Sequence, residues 1–358
     1  MYATTPDMPY IEVTPQERRA IIEAVLARLC TSYVFPDVAE QIATLIRRRA
    51  STGDYDMIGD TATLAEALST DLQQINHDGH LLVLSRPVPR PPRMEEAETP
   101  VRHEERYARA RATGFGIARV ERLAGNIGFI DLRGFHPPAI AGESVVAMMQ
   151  LVAHTHALIL DLRQHRGGDA DMVALLCSYF VASVPIHLST LHLRGDAQMQ
   201  SQWTLPSVPG PRYLDRPVYL LASRVTVSAG EALAYFLKHL GRATVVGETT
   251  RGMANPGESW TVHPHLEVFI PTMRVVGAMT GDNWEGSGVK PDVEVPADDA
   301  YRIAYHLALR DVEEVIRASE QTVTSAALLA EVRDARQRLN LAPSACGFLP
   351  PEGQTGRG

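Results

Sequence analysis

Ser228 is the residue whose surroundings most clearly suggest chemistry. It lies in Val225-Thr-Val-Ser-Ala-Gly-Glu-Ala232, after an apolar run of strand length, Pro217–Ala222, and before Gly230–Leu240, where apolar residues recur at helical spacing. Backbone N–H groups at a helix N-terminus stabilise an anion, as an acyl-transferring serine requires. Ser228 and Glu231 also form the Ser-x-x-Glu pattern of a capping box. The segment therefore predicts either a helix cap or a nucleophile.

A glycine-containing turn follows another apolar strand. Ala157–Asp161 continues into Leu-Arg-Gln-His-Arg-Gly-Gly168, and the two glycines allow close approach of a substrate or a second backbone. Consecutive N–H groups in such a turn form an anion-binding concavity. The turn lacks the Gly-Lys-Ser/Thr ending and the Gly-x-Gly-x-x-Gly pattern of nucleotide sites, so we set nucleotide binding aside. Arg163 is expected to pair with an acid such as Asp161 or Glu248.

The composition describes an ordinary globular protein. Of the 358 residues, 45% are hydrophobic and 21% charged, and the net charge of −8 argues against nucleic acid or an anionic membrane as the main partner. No apolar run reaches the roughly 18–20 residues of a membrane helix, and the N-terminus lacks a signal-peptide pattern. We therefore expect a cytoplasmic protein without a membrane span. Cys30, Cys177 and Cys346 lack metal-ligand spacing, and the first two are expected to be core residues. We expect no metal and no cofactor, and a homo-oligomer stays open.

The elements that position these residues change in type along the chain. Helical periodicity predicts an N-terminal helical domain over 1–84, followed by a Pro-rich and charged linker or surface excursion over 85–116. Alternating strands and helices predict an α/β core over 117–300, and helices with a disordered Gly/Pro-rich end are expected over 301–358. The predicted strands are Ile127–Leu132, Ala157–Asp161, Val218–Ala222, Thr244–Val246 and Glu267–Pro271. After a first helix starting at Thr14, the predicted helices are Asp37–Ala50, Thr63–Ile75, Gly142–Ala153, Met172–Phe180, Gly230–Leu240, Tyr301–Ser319 and Ala326–Leu339.

Several motifs resemble those of one peptidase family. They are Leu160-Asp-Leu-Arg-x-x-x-Gly-Gly168, Ser223-Arg-x-Thr-x-Ser-Ala-Gly-Glu231, Gly241-Arg-Ala-Thr-Val-Val-Gly-Glu-Thr-Thr250 and Trp284-Glu-Gly-Ser-Gly-Val-Lys-Pro-Asp292. They resemble the tail-specific (C-terminal-processing) serine peptidases, and more narrowly the branch related to interphotoreceptor retinoid-binding protein. Tyr33-Val-Phe-Pro-Asp37 and Asp78-Gly-His-Leu81 look like the helical N-terminal module of that branch. The likeness covers roughly residues 14–310.

The resemblance implies both a fold and an activity. The fold is α/β, with a crotonase-like ββα spiral core, an N-terminal helical bundle domain and C-terminal helices. The activity is that of a serine-type peptidase or hydrolase acting on a peptide or small amide. The PDZ domain of the family has no counterpart, because residues 85–116 are too short and too polar to contain one. Residues 135–139 and 267–271 are candidates for lining a substrate cleft, although the strand at 267–271 may equally be core.

The resemblance also implies catalytic roles. Ser228 matches the nucleophile, but Met253 stands where many family members have the lysine of a Ser-Lys dyad, so that dyad is excluded. A serine needs a base at neutral pH, and histidine is the natural substitute. His80 matches the catalytic histidine of the family's histidine-using members, including tricorn-like proteases, and Glu285 matches their acidic residue. In a charge-relay arrangement, Glu285 would fix the tautomer of His80 that accepts the serine proton.

Backbone groups are expected to form the oxyanion hole. The candidates are the N–H of Ala229 and that of Gly168 or Gly167. The family turn usually has asparagine and a third glycine where this chain has His165 and Arg166. These two side chains are candidate substrate contacts. Arg166 would bind a carboxylate, although an exposed loop arginine without a ligand is the commoner case.

A binding protein on the same fold is the second function class. The missing lysine, the missing PDZ domain and the altered glycine turn suggest that turnover has been lost, and the vertebrate relative uses related modules to carry retinoids and fatty acids. The ligand would then be a hydrophobic molecule or a peptide. Fold alone does not decide between these classes. A third class is a biosynthetic cyclase or esterase that uses the same acyl-enzyme chemistry.

Overall fold

A computed structural model describes residues 10–89, 100–196, 199–318 and 322–341. The chain divides into two units, each made of three stretches. The first unit comprises Met1–Arg109, Pro185–Thr204 and Gly252–Gly288, and the second comprises Ala110–Val184, Leu205–Arg251 and Val289–Gly358. The division expected from the sequence, at residues 84, 116 and 300, follows continuous stretches of chain and stays a prediction. The expected disordered end beyond residue 341 and Cys346 lie outside the described residues.

The described helices and strands follow one another along both units. The helices are α1 (Pro15–Ser32), α2 (Pro36–Thr52), α3 (Thr61–Leu72), α4 (Pro100–Ala112), α5 (Pro138–Val152), α6 (Ala170–Tyr179), α7 (Ala229–His239), α8 (Ala297–Ala318) and α9 (Val323–Leu341). The strands are β1 (Leu82–Ser85), β2 (Ile117–Leu123), β3 (Ile127–Leu132), β4 (Ala157–Asp161), β5 (His187–Leu193), β6 (Met199–Trp203), β7 (Val218–Ala222), β8 (Thr244–Gly247), β9 (Gly257–His263), β10 (Leu266–Pro271), β11 (Met273–Gly277) and β12 (Val293–Glu294). The five predicted strands and the predicted helices are present, with ends shifted by a few residues.

Local capping explains where the first helices begin. The Thr14 hydroxyl accepts the N–H of Glu17, and the Glu17 carboxylate accepts the N–H of Thr14, which makes a capping box with Pro15 in the first turn. Asp60 caps α3 by accepting the N–H groups of Ala62 and Thr63. In both helices, the side-chain oxygens accept hydrogen bonds from N–H groups that a helix N-terminus leaves unpaired.

The N-terminal helices form one core with an antiparallel sheet. Helices α1, α2 and α3 share their buried side chains with the sheet of order β1-β10-β9. Strand β10 lies at the centre of this sheet, and its Val268 and Ile270 are fully buried in the core. Phe269 between them is half-buried, so the expected cleft lining by residues 267–271 stays a prediction. A second antiparallel sheet of the same unit has the order β11-β5-β6. The predicted N-terminal helical domain is confirmed, and the strands around it add to the sequence-based description.

The second unit is an α/β domain. Its six-stranded sheet has the order β12-β8-β7-β4-β3-β2, parallel except where β2 pairs with β3. Strands β3, β4 and β7 are buried along their whole length, as is typical of parallel strands covered on both faces. Helices α8 and α9 pack on the face that carries Phe129, Ile159 and Tyr219. Cys177 is buried and Cys30 is half-buried, in keeping with the expected core positions.

The stretch expected to be a linker contains a helix. Residues 100–112 form α4 within the proline-rich and charged segment. This helix was not predicted because the composition of the segment is strongly polar. Among the described residues, no helix is long and apolar enough to cross a membrane.

Truncation of the first unit's core should be costly. Leu26 is fully buried between the N-terminal helices, so Leu26→Ala is expected to lower the free energy of unfolding by about 2–5 kcal/mol. Met57 is 95% exposed, and Met57→Ala serves as the control with a change below about 0.5 kcal/mol. Urea unfolding measures both values. Equal effects of the two substitutions would contradict the assigned core.

Candidate active site

Ser228 occupies a strained backbone position between β7 and α7. Its φ of 55° and ψ of −121° lie outside the regions that residues with a side chain ordinarily adopt. Such a conformation costs about 1–3 kcal/mol and persists only when its surroundings hold it. The serine therefore stands at a sharp strand-to-helix turn, as the sequence predicts, and its conformation is more constrained than that of a simple cap.

Glu231 holds this turn from inside the second unit. Its side chain is fully buried and accepts the N–H of Ser228 at 2.8 Å and the hydroxyl of Thr250 at 2.5 Å. Thr250 in turn accepts the N–H of Val289 at 2.7 Å. The predicted Ser-x-x-Glu pattern is thus a structural brace for the strained residue. Cap and nucleophile are compatible roles for Ser228.

The glycine turn after β4 is tied to the serine turn after β7. The hydroxyl of Thr226 donates to the carbonyl of Leu162 at 2.8 Å, and that of Ser223 donates to the carbonyl of Arg163 at 2.6 Å. Both turns leave the carboxyl ends of neighbouring parallel strands, where ligands commonly bind in α/β sheets. Side-chain-to-backbone bonds therefore fix the position of the glycine turn relative to the serine.

Neither glycine of the turn has room for a side chain. A Cβ on Gly167 would lie 3.0 Å from the Cβ and 3.4 Å from the Oγ of Ser228. A Cβ on Gly168 would lie 2.0 Å from the carbonyl oxygen of Phe135, and the φ of Gly168 is +132°. The turn can therefore pass beside the serine only if both residues are glycine.

The N–H groups of the site differ in availability. The N–H of Gly167 donates to Nδ1 of His165 at 3.1 Å. Within the described part of the chain, the N–H groups of Gly168 and Ala229 make no hydrogen bond. Ala229 begins α7, where the helix dipole favours negative charge. Three backbone N–H groups were predicted as candidates for an oxyanion hole. Of these, the N–H groups of Gly168 and Ala229 are available to bind a ligand.

His165 lies inside the protein beneath the glycine turn. Its ring is buried, lies 4.2 Å from the ring of Phe135 between centroids, and leaves no room for a Cβ on Gly230, which would come within 2.4 Å of Nδ1. Burial lowers the pKa of His165 to about 3, so the ring is neutral and its Nδ1 accepts the N–H of Gly167. A buried ring in this position supports the turn from below.

The two arginines of the turn have different surroundings. Arg163 forms a two-pronged pair with Asp161 at 2.9 and 2.7 Å and donates to the carbonyl of Ala297 at 2.8 Å, which confirms the expected pair. Arg166 is exposed, and within the described ranges only its backbone N–H is hydrogen-bonded, to the carbonyl of Arg133 at 2.9 Å. Its guanidinium has no partner among the described residues.

His80 lies in the first unit, in the turn between α3 and β1. Its side chain is 7% exposed, and its ring centroid lies 5.5 Å from that of Phe269. Burial lowers the pKa of His80 to about 4, which keeps the imidazole neutral at physiological pH. The buried Nδ1 has no hydrogen-bond partner among the described residues.

Two carboxyl groups lie close to this histidine. A ligand atom of His80 and one oxygen each of Asp78 and Glu285 lie within 4.8 Å of one another. Asp78 is fully buried and accepts the hydroxyl of Tyr33 at 2.9 Å and the N–H of His80 at 3.0 Å. The structure thus brings the predicted His80 and Glu285 together and adds Asp78, which the sequence analysis did not assign to the site.

Glu285 is held by backbone donors. It accepts N–H groups from Ala254 at 2.6 Å, Asn255 at 3.0 Å and Gly79 at 3.3 Å. Burial, with a smaller contribution from the neighbouring Asp78, raises the pKa of Glu285 to about 8. Burial likewise raises the pKa of Asp78. The two acids therefore compete for ionisation.

Asp78, His80 and Glu285 are also residue types that bind divalent cations. Six N–H or O–H donors of the described residues already point at the two carboxyl groups, three at Glu285 and three at Asp78. A carboxylate offers about four lone-pair positions, so most are occupied without an ion. The donor set fits acid–base chemistry better than a metal centre.

Replacement of Gly168 should disturb the turn through a steric clash. Gly168→Ala places a Cβ against the Phe135 carbonyl at a positive φ and is expected to cost about 2–4 kcal/mol of unfolding free energy. Gly241→Ala is the matched control, because Gly241 also has positive φ but no neighbour within 4 Å of its Cβ, and it should cost about 1 kcal/mol. Urea unfolding compares the two. A smaller loss for Gly168→Ala than for Gly241→Ala would refute the close approach.

The raised pKa of Glu285 predicts a pH-dependent stability. The folded protein holds a proton on this group between about pH 4.5 and 8, where the unfolded chain releases it. The contribution of Glu285 to stability should therefore fall by about 1 kcal/mol per pH unit as the pH rises through this window. Glu285→Gln should not show this loss of stability. Urea unfolding of the wild type and of Glu285→Gln at several pH values measures the difference. Glu66→Gln, at an exposed position on α3, is the control. Its free energy of unfolding should fall with rising pH as steeply as that of the wild type.

Comparison with known proteins agrees with the fold and the motifs. Residues 126–295 match the family model for peptidase family S41, and residues 12–111 match the model for the N-terminal domain of that family in eukaryotic IRBP. The N-terminal match ends at residue 111 and the S41 match begins at residue 126, so the residues between the two matches are too few to form a PDZ domain. The family predicted from the motifs is therefore confirmed.

Solved structures with the same fold include three of similar score. A putative peptidase from Parabacteroides merdae has 18% sequence identity and a TM-score of 0.52, with 78% of this chain and 90% of that chain covered. A lipoprotein from Streptococcus agalactiae has 14% identity and a TM-score of 0.52, with coverage of 85% and 99%. The tricorn protease has 12% identity and a TM-score of 0.50, with coverage of 90% and 37%. At these identities the likeness concerns the fold. The chain belongs to peptidase family S41, a family of serine-type peptidases, and carries the N-terminal domain that this family has in eukaryotic IRBP.

Proposed function

We propose that this protein cleaves a peptide or small amide through an acyl-enzyme on Ser228. The main support is the arrangement around that serine in the second unit. Ser228 is strained at the N-terminus of α7, Glu231 holds its backbone, and a glycine turn passes beside it. A strained nucleophile next to uncommitted N–H donors is suited to acyl transfer.

In the first half-reaction the Oγ of Ser228 attacks the scissile carbonyl carbon while its proton passes to the general base. The carbonyl oxygen becomes negatively charged, and the N–H groups of Gly168 and Ala229 stabilise it. The C–N bond then breaks, and the leaving nitrogen takes the proton from the base. In the second half-reaction water attacks the acyl carbon and gives a proton to the base. The ester C–O bond then breaks, the carboxylic acid product leaves, and the Oγ of Ser228 takes the proton back from the base. Gly167 acts indirectly, because His165 already accepts its N–H.

We assign the general-base role to His80, with Glu285 as the acid that orients it. A neutral imidazole at physiological pH is the form that accepts a proton, and burial keeps His80 neutral. One carboxyl oxygen each of Asp78 and Glu285 lies within 4.8 Å of a ring nitrogen of His80. A negative charge in that position stabilises the imidazolium formed during the reaction.

Arg166 is the side chain we propose for substrate recognition. Its exposed guanidinium, unpaired among the described residues, suits a carboxylate of a peptide substrate. His165 is fully buried, so we assign it a supporting role beneath the turn in place of the substrate contact expected from the sequence. Phe135 packs on His165 and shares that supporting role.

Covalent labelling tests the nucleophile. A fluorophosphonate probe should label wild-type protein at Ser228, and Ser228→Ala should abolish labelling. His80→Gln should lower the labelling rate by about 10²–10⁴-fold, because the base is lost. Ser51→Ala, at an exposed end of α2, is the control and should react like wild type. Failure to label Ser228 in protein that unfolds cooperatively would refute the proposal.

A binding protein on the same fold is the alternative function. The observation that favours it is the low pKa of His80, about 4, because a base that weak draws a proton from serine less readily. A binding protein would hold a hydrophobic ligand or peptide equally well in wild type and Ser228→Ala, without labelling of either. If Ser228 is labelled, identification of the released products separates hydrolysis from a biosynthetic transfer or cyclisation.

A further inference from the structure

Asp78 and Glu285 form a buried acid pair without a compensating cation. Among the described residues, neither side chain has a lysine or arginine partner. The guanidinium of Arg194 binds the backbone of Tyr33, whose side chain contacts Asp78, but within the described ranges its hydrogen bonds go to the carbonyls of Tyr33 and Cys30. Two carboxylates this close, in a buried site, cannot both ionise without a large cost.

A second buried aspartate in the same unit shows the contrast. Asp71 is 1% exposed and accepts the hydroxyl of Tyr55, much as Asp78 accepts that of Tyr33. Asp71 also pairs with Arg49, which neutralises it. Next to the Tyr55–Asp71 pair lies an arginine, whereas next to the Tyr33–Asp78 pair lies a second acid, Glu285. A proton is therefore the simplest source of positive charge for Asp78 and Glu285.

The donors around the pair leave room for one proton. Three backbone N–H groups occupy Glu285, whereas Asp78 takes the Tyr33 hydroxyl, the His80 N–H and the side-chain amide of Asn255. With about four lone-pair positions on each carboxylate, an O–H···O bond between the two acids completes the set. Tyr33 and His80 are the titratable groups that face this pair, and the raised pKa of Tyr33 keeps its hydroxyl a neutral donor.

We propose that Asp78 and Glu285 share a single proton and carry one negative charge between them, which makes Asp78 a positioning residue for His80. Asn76 donates to the Tyr33 hydroxyl at 2.5 Å, and Tyr33 donates to Asp78, so this chain of bonds fixes the direction of the acid pair. The effect on His80 rests on the function proposed above. The shared proton does not depend on it.

Carboxyl ¹³C NMR of the full-length protein tests the shared proton directly. With Asp and Glu labelled at the carboxyl carbons, the Glu285 resonance should titrate near pH 8. In Asp78→Asn the Glu285 pKa should fall by about one unit or more, because the neighbouring negative charge is gone. Asp71→Asn is the matched control and should leave the Glu285 titration unchanged. A Glu285 titration near 4.5, or one unaffected by Asp78→Asn, would overturn the proposal.

A zinc titration followed by the same resonances distinguishes a proton from a cation. Unperturbed Asp78 and Glu285 resonances at a stoichiometric amount of Zn²⁺ support the shared proton. Stoichiometric binding that removes the titration near pH 8 would overturn it, because the cation would then be the natural partner of the acids. Glu285→Gln should abolish any such zinc effect on Asp78.

Activity measurements test the positioning role. Tyr33→Phe frees Asp78 to turn, so the fluorophosphonate labelling rate and kcat should fall by about 10–100-fold with KM unchanged, and the pH profile should shift. Tyr55→Phe removes the hydroxyl from the Asp71 pair and should lower stability without changing the pH profile. If Tyr33→Phe fails to fold, Asp78→Asn carries the same test.

The outcomes separate this inference from the proposed function. A folded protein that leaves Ser228 unlabelled but titrates near pH 8 at Glu285 would refute the peptidase mechanism and keep the shared proton. A labelled Ser228 with an ordinary Glu285 titration would keep the mechanism and refute the acid pair. An unchanged pH profile in both Tyr33→Phe and Asp78→Asn would refute the positioning role alone.

Discussion

The buried hydrogen bond between the Glu231 side chain and the N–H of Ser228 is the interaction on which the turn between β7 and α7 depends. Ser228 adopts a backbone conformation that costs about 1–3 kcal/mol, and a buried hydrogen bond such as this one contributes about 0.5–1.5 kcal/mol towards that cost. Glu231 is fully buried and also accepts the Thr250 hydroxyl, so its own position is fixed. The strain at Ser228 is therefore offset locally, by a hydrogen bond to a residue three positions further along the chain.

Parallel strand order places the glycine turn, which is the second half of the proposed oxyanion site. Because β4 and β7 are neighbours, the turns that follow them emerge at the same edge of the sheet. Gly167 and Gly168 are required there because Ser228 and the Phe135 carbonyl occupy the space of any side chain. His165 completes the arrangement from below, since its neutral ring takes up one N–H and leaves that of Gly168 available.

The parts predictable from the sequence were those with strong local signals. Strands such as β4 are continuous apolar runs, and Ser228 lies where a strand period changes to a helical one. Strands β5 and β9 escaped prediction because their half-buried sequences mix polar and apolar residues. The place of Asp78 in the site was also not predicted, because its partner Tyr33 is 45 residues away in the sequence and no periodicity indicates such a contact.

The electrostatics of His80 explain why a single charge on the acid pair is suited to a base. Burial lowers the pKa of His80 from 6.5 to about 4, so protonating the ring at neutral pH carries an added cost of about 3 kcal/mol. A fully protonated pair would offer the imidazolium no counter-charge. A doubly ionised pair would be expensive to bury before the reaction begins. In the proposed mechanism, one shared proton limits the buried charge of the resting site to a single negative charge, and that charge stabilises His80 when it accepts the serine proton.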